Sequence, residues 1–244
     1  MNFKFSEIRV LETGYNNAQW NMSVDEVLMN SVNDIPILRL YGWKPPSVSI
    51  GYFQRMEEEV NVKKCNQLGI DIVRRITGGG SVLHDSELTY SFLARKYPQN
   101  ISESYRWICD AIITAIKKLG LDAKFSPLND IIINGKKISG NAQTRKKGTL
   151  LQHGTILLNA DVEKMFSVLK VPSEKISDKM IADVKERVVG LSKTFDEVAL
   201  ALKSSFSEKF GATLIIGELT EEEEVAATKL VKEKYSTDKW NCGR

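Results

Sequence analysis

The sequence predicts an α+β protein, with a large, mixed, mostly antiparallel β-sheet flanked by helices in a single domain spanning residues 1–244. Three observations carry that expectation. Short β-branched runs alternate along the chain with segments whose apolar residues recur at helical spacing. A hairpin signal, DIIINGKKISGNAQ, places Asn134-Gly135 between two strand-like runs, and that pair supplies the positive φ angles of a tight turn. A chain of 244 residues, 42% of them hydrophobic, is long and apolar enough for a sizeable core.

In chain order, EIRVLET (7–13) reads as a strand and GYNN as the turn after it. Ser23-Val-Asp-Glu26 has capping-box spacing and predicts a helix from there to about Val32. ILRLYG and SVSIGYF are short strands, and Pro45-Pro46 between them excludes a helix. Residues 58–68 have helical character, with Gly69 as the stop. IDIVRR and LTYSFLAR are strands on either side of three glycines. Tyr105, Ile108, Cys109, Ile112, Ile113, Ile116 and Leu119 form one helical face that ends at Gly120. TLLQHGTILLN extends the sheet after the hairpin. Helices then dominate: TFDEVALALKSSFSEKF and TEEEEVAATKLVKEKY flank a strand, TLIIGEL. The glutamates at 221–224 suit a first helical turn, where the helix dipole favours negative charge.

Composition narrows the function classes. A net charge of +3 is too small to indicate nucleic acid, and no apolar run approaches the roughly 20 residues of a membrane span. MNFKFSEIRVLE lacks the features of a signal peptide, and the three scattered cysteines (Cys65, Cys109, Cys242) suit a reducing cytoplasm. They have no metal-ligand spacing, so no bound transition metal is expected.

The chemistry concentrates in two stretches. In DIVRRITGGGSVLHD, Gly78, Gly79 and Gly80 can turn successive N–H groups into one concavity, a nest for an anion; the bare triplet also reads as a surface turn. Arg74 and Arg75 alternate on a strand, so one is expected to reach the anion while the other supports structure. GKKISGNAQ places Lys136 and Lys137 on opposite strand faces, either both solvated or one entering a cleft to meet developing negative charge. His84 and His153 are the only histidines; GxSxG, Walker and GxGxxG patterns are absent. His153 reads by default as a packed histidine, and Gly154 beside it as room for a ligand or another backbone. Cys109 lies on the apolar helical face and reads as core, and Arg145-Lys146-Lys147 as a solvated turn or docking patch.

Together the strings NMSVDEVL, VSIGYFQ, RRITGGGSVLHD with LTYSFL, LNDIIINGKKISGNAQTRKKG, LQHGTILLN, LKVPSEK, ERVVGL and KYSTDKWN resemble the lipoate–protein ligases and the related octanoyl transferases, on the fold shared with biotin–protein ligases. The pair RR-x-TGGG-x-V-x-HD and NGKK-x-SG-x-AQ carries most of the likeness. The resemblance implies a cytoplasmic two-step enzyme. Lipoate and Mg²⁺-ATP give lipoyl-AMP, and the lipoyl group passes to a lysine of a lipoyl acceptor domain, such as a 2-oxoacid dehydrogenase E2 or glycine-cleavage H protein. By motif, Lys137 is the catalytic lysine. Arg75, Gly78, Gly79, Gly80, Ser81 and Val82 line the acyl and nucleotide pockets. His84 and Asp85 brace the glycine loop, Asn129 and Asp130 face nucleotide and Mg²⁺, and His153, Gly154 and Thr155 form the floor. The accessory domain of single-chain ligases is expected to be absent and supplied by a separate protein, with no nucleic-acid or membrane partner.

Three alternatives accompany this expectation. An octanoyl-[acyl carrier protein]:protein N-octanoyltransferase works through a cysteine thioester without ATP. The stretches that would hold that cysteine, KFSPLND and LKVPSEKISDKM, contain none. Biotin ligation is disfavoured because RRITGGG replaces a GRGRxGR-type loop. A non-catalytic RNA-binding protein would use the basic hairpin, which lacks interleaved aromatics for base stacking.

Overall fold

The computed structural model describes residues 3–170 and 187–243, so parts of LKVPSEK and ERVVGL lie outside the described residues. Strand β1 (Glu7–Asn16) leads into helix α1 (Ala18–Ser31), then β2 (Ile37–Trp43), β3 (Ser47–Ile50), α2 (Met56–Glu59), α3 (Val62–Leu68) and β4 (Asp71–Arg74). After the glycine loop come β5 (Val82–His84), β6 (Glu87–Ala94), α4 (Ile101–Lys118), β7 (Ala123–Ser126), β8 (Asp130–Ile133), β9 (Lys136–Lys146) and β10 (Thr149–Leu157). The chain closes with α5 (Val162–Val168), α6 (Phe195–Phe210), β11 (Thr213–Gly217), α7 (Glu221–Leu230), a π-helical turn (Val231–Tyr235) and α8 (Asp238–Asn241).

Eight strands form the main sheet in the order β11-β1-β2-β6-β10-β9-β8-β7, with β1 parallel to both neighbours and the other pairs antiparallel. Alternation decides what each face receives. Leu38, Leu40 and Phe92 turn toward α4 and α6, where Trp107, Ile112, Phe206 and Phe210 complete a core. Ile37, Leu93 and Leu151 turn the other way, against Val24 and Leu28 of α1 and Ala227 of α7. Arg39 occupies the same face as Ile37 and is fully buried there. The hairpin turns at Asn134 (φ 49°) and Gly135 (φ 78°), as its sequence demands. Glu221–Glu224 fill the first turn of α7, and Thr220 caps it with Glu223 in a capping box.

Three expectations change. Helix α1 begins at Ala18, capped by Asn17, whose side chain accepts from the Trp20 N–H. Ser23 and Glu26 are therefore mid-helix, and the Ser23 hydroxyl donates to the Gln19 carbonyl one turn back. The segment read as one helix over 58–68 is broken at Val60-Asn61, because Asn61 caps α3 by accepting from the Lys64 N–H. A second sheet, β4-β3-β5, stands apart from the large one. Its third strand, Val82–His84, is too short to register as periodicity.

Candidate active site between the two sheets

A cavity of about 320 Å³ opens between the small sheet and the centre of the large one. Ser49, Val82 and His84 bound it on one side, and Lys137, Asn141, His153, Gly154 and Thr155 of β9 and β10 on the other, with Tyr41 and Trp43 of β2 also contributing. Arg75, Gly79, Gly80, Ser81 and Asn129 complete the expected set that lines it. Gly78 does not; it borders a separate cleft of about 450 Å³ with Tyr52, Phe53, Arg145, Lys146 and Trp240. Asp130 also lies outside the lining, but its Oδ1 is 2.8 Å from Lys137 Nζ, so it bears on the cavity through that lysine.

The paired arginines divide as alternation predicts. Arg74 is a structural clasp: its guanidinium donates to the carbonyls of Gly51, Tyr52 and Gln54 and to those of Trp240 and Asn241, pinning α8 to β4. Arg75 turns into the glycine loop. Its Nη2 donates to the Gly78 and Gly80 carbonyls, each at 2.7 Å. No described carboxylate pairs with it. Burial pulls its pKa down to about 10, which leaves it charged at neutral pH and available to an anion.

Both histidines are buried and hydrogen-bonded at each ring nitrogen. His153 Nδ1 lies 3.0 Å from Asp25 Oδ2 and its Nε2 2.6 Å from Thr77 Oγ1. His84 Nδ1 lies 2.6 Å from Glu87 Oε1 and its Nε2 2.7 Å from Ser49 Oγ, while the ring stacks on Trp43 at 4.0 Å. A carboxylate only accepts, so each Nδ1 carries a proton; in the neutral tautomer that this selects, each Nε2 accepts from the hydroxyl. Asp85, expected to brace the loop, points elsewhere: its carboxylate pairs with Lys164 of α5 at 2.8 Å. Among the described residues, His84 reaches the loop through Ser49 and Arg75. Gly154 leaves room for protein rather than ligand, since a Cβ there would fall 2.1 Å from Asn141 Oδ1.

Sequence reasoning missed Asp25, Ser49, Thr77 and Glu87. A signal was present for Asp25. It sits three residues from both Met22 and Leu28 on the buried stripe of α1, opposite the lone arginine in ILRLY. Two charges on otherwise apolar faces call for each other, and Arg39 Nη1 meets Asp25 Oδ1 at 2.8 Å.

The loop also depends on a glycine outside it. A Cβ on Gly51 would stand 2.0 Å from the Gly79 carbonyl oxygen. Gly51→Ala is therefore expected to push the loop outward and cut turnover about a hundredfold, the order that a 1 Å displacement of reacting groups costs. Steady-state kinetics beside a melting curve checks this; unchanged turnover would mean that the loop tolerates displacement.

The sequence model of the lipoyl protein ligase A/B catalytic domain matches residues 17–210. The chain belongs to that family. Among curated relatives, octanoyltransferase LipM of Kyrpidia tusciae is 39% identical, covering 96% of this chain and 97% of that protein; LipM of Bacillus subtilis is 34% identical, covering 97% and 98%. Among solved structures, a bi-partite lipoate protein ligase system from Thermoplasma acidophilum superposes with a TM-score of 0.92 at 37% identity, covering 98% of this chain and 97% of that one. A lipoate-protein ligase A bound with ATP gives 0.88 at 35%, covering 97% and 99%. The fold is thus the catalytic fold of lipoate ligases. The relatives' names favour octanoyl transfer over ATP-dependent ligation, and the structural neighbours are ligases. Family membership leaves that choice to the chemistry of the cavity.

Proposed function

We propose that this family member is an ATP-dependent lipoate–protein ligase that forms lipoyl-AMP and transfers the lipoyl group to a lysine of a lipoyl acceptor domain, such as an E2 or H protein. One observation supports this reading over octanoyl transfer: no thiol lines the cavity. Cys65 and Cys109 are buried in hydrophobic cores, and burial pushes Cys109 up to about 12 and Cys65 upward as well. Cys242 is exposed, with its Sγ 3.9 Å from the Met56 sulfur. A transferase working through a cysteine thioester has no nucleophile here. The LipM pairings run over 268 and 272 positions against 244 residues in this chain, so those proteins carry inserted segments that it lacks.

In this reading the carboxylate of lipoate attacks the α-phosphorus of ATP, and pyrophosphate leaves. The acceptor ε-amine then attacks the mixed anhydride, and AMP leaves. Lys137 and Arg75 supply fixed positive charge to the oxygens that gain it, and the loop of Gly78–Gly80 keeps water from the anhydride. The N–H groups of the three glycines enter no backbone hydrogen bond among the described residues and are available as donors. Magnesium commonly takes one or two carboxylates with substrate phosphates, and Asp130, beside Asn129 and paired with Lys137, is the carboxylate proposed to hold it. When bound, the ion would neutralise phosphate charge. No group of three or more metal-ligating side chains occurs among the described residues. No helix among the described residues is long and apolar enough to cross a membrane.

The bi-partite neighbour prompts a second element: a separate accessory protein assists adenylation, so the chain alone releases pyrophosphate slowly from lipoate and Mg²⁺-ATP and faster with that protein added. The second reading, octanoyl transfer, is favoured by the relatives' names. A cysteine-free variant (Cys65→Ser, Cys109→Ala, Cys242→Ser) separates the two. It is expected to retain ATP-dependent lipoylation of an apo lipoyl domain, read by intact mass. An octanoyl thioester on any of the three cysteines of the wild type, formed from octanoyl carrier protein without ATP, would reverse the choice.

A further inference from the structure

Two hydrogen-bonded chains converge on one guanidinium. The first runs from Asp25 through His153 to Thr77, whose Oγ1 accepts from Arg75 Nε at 3.1 Å. The second runs from Glu87 through His84 to Ser49, whose Oγ accepts from Arg75 Nη1 at 3.1 Å. With neutral rings, each hydroxyl donates to a histidine and accepts from the arginine, so both chains run in one direction, from arginine to carboxylate. They start on different elements, α1 and β6, and meet Arg75 on two of its three nitrogens. The third nitrogen, Nη2, holds the Gly78 and Gly80 carbonyls at 2.7 Å each; Nε also reaches the Gly78 carbonyl at 3.2 Å, and Nη1 the Ser49 carbonyl at 3.1 Å. Thr77 and Ser49 are themselves buried, at 0% and 1% exposure, so solvent does not substitute for them.

We propose that Thr77 and Ser49 are positioning residues that act solely through Arg75: they aim its guanidinium so that Nη2 keeps the glycine loop as the wall of the cavity. Asp25 and Glu87 act one step further back, by fixing which nitrogen of each histidine accepts. A buried guanidinium with no carboxylate partner has several carbonyls within reach. The two hydroxyls hold Nε and Nη1 and so set the direction in which Nη2 meets the loop. Both histidines of the chain are thereby committed to orientation rather than to proton transfer. The inference rests on the ligase reading only for its consequence in catalysis, which is slower turnover when the loop is displaced.

Hydrogen–deuterium exchange of residues 76–81 in the ligand-free chain tests it without reference to activity. Thr77→Val and Ser49→Ala are each expected to speed exchange of that segment about tenfold, the effect of one lost buried hydrogen bond. Thr77→Ser, which keeps the hydroxyl, is expected to match the wild type. In an Arg75→Met background the segment should exchange fast already, and adding Thr77→Val should change nothing further, because residues acting through one partner are not additive. With activity as the readout, Thr77→Val should lower turnover about tenfold, and Thr77→Ser should restore it. An equal effect of Thr77→Val with and without Arg75, or no effect on the loop in either background, would overturn the proposal. The predicted exchange pattern in a chain that lipoylates nothing would instead count against the ligase reading and leave the positioning role in place.

Discussion

Lys137→Ala is expected to lower lipoylation by about 10²–10³-fold, the usual loss when one preorganised electrostatic contact is removed from a transition state. The structure explains why the fold should survive. Lys137 is 43% exposed, and its ion-pair partner, Asp130, is 31% exposed, so water resolvates the carboxylate left behind. Lys136→Ala serves as the control, since Lys136 lies outside the cavity lining. Single-turnover transfer from preformed lipoyl-AMP separates loss of chemistry from loss of adenylation. Near-wild-type turnover by Lys137→Ala would remove that residue from the reaction.

The largest effect on stability is expected from Asp25→Ala. The Asp25 carboxylate accepts from Arg39, Ser91 and His153, and the Arg39 side chain is fully buried. Removing one partner leaves an uncompensated buried charge, which costs about 3–5 kcal/mol. A fall in the urea midpoint with an unchanged slope would report that loss. Acid unfolding supplies a second reading. Burial pushes the Asp25 carboxyl up, but the hydrogen bonds from His153 and Ser91 and the charge of Arg39 outweigh it and hold it below the ordinary value. Its contribution is therefore fully present above the unfolded carboxylate pKa of about 3.9 and is lost as pH falls through the lower folded value. Burial drives His153 downward, so its share is in place above about pH 6.5 and begins to fade below it. Asp25→Ala should abolish the lower of these two limbs; an unaltered acid profile would show that Asp25 does not carry it.

Where one periodicity ran long enough, the sequence was readable. The helical face from Tyr105 to Leu119 became α4, Asn134-Gly135 became the hairpin, and alternation separated Arg74 from Arg75. Local competition was not readable. The hydroxyl and carboxyl of Ser23 and Glu26 match a capping box, yet Asn17 caps the helix a turn and a half earlier because the apolar stripe already starts at Ala18. The three strand residues after the glycines gave no periodic signal, so the small sheet went unseen. At the site, the residues that reach the cavity were largely legible because glycine runs and charged pairs in strands are costly without a purpose. Asp25, Ser49, Thr77 and Glu87 were not, because their effect passes through a histidine or an arginine belonging to a distant strand. Asp85 illustrates the converse: adjacency to His84 in sequence put it on the opposite side of the strand, against Lys164.

The most direct test of the account offers the purified chain and an apo lipoyl domain two donors in parallel, preformed lipoyl-AMP and octanoyl carrier protein, with intact mass as the readout. The account predicts a lipoyl gain on the acceptor from lipoyl-AMP, with no acyl adduct on the chain in either tube. Acceptor modification from the octanoyl thioester alone, passing through an adduct on the chain, would contradict it.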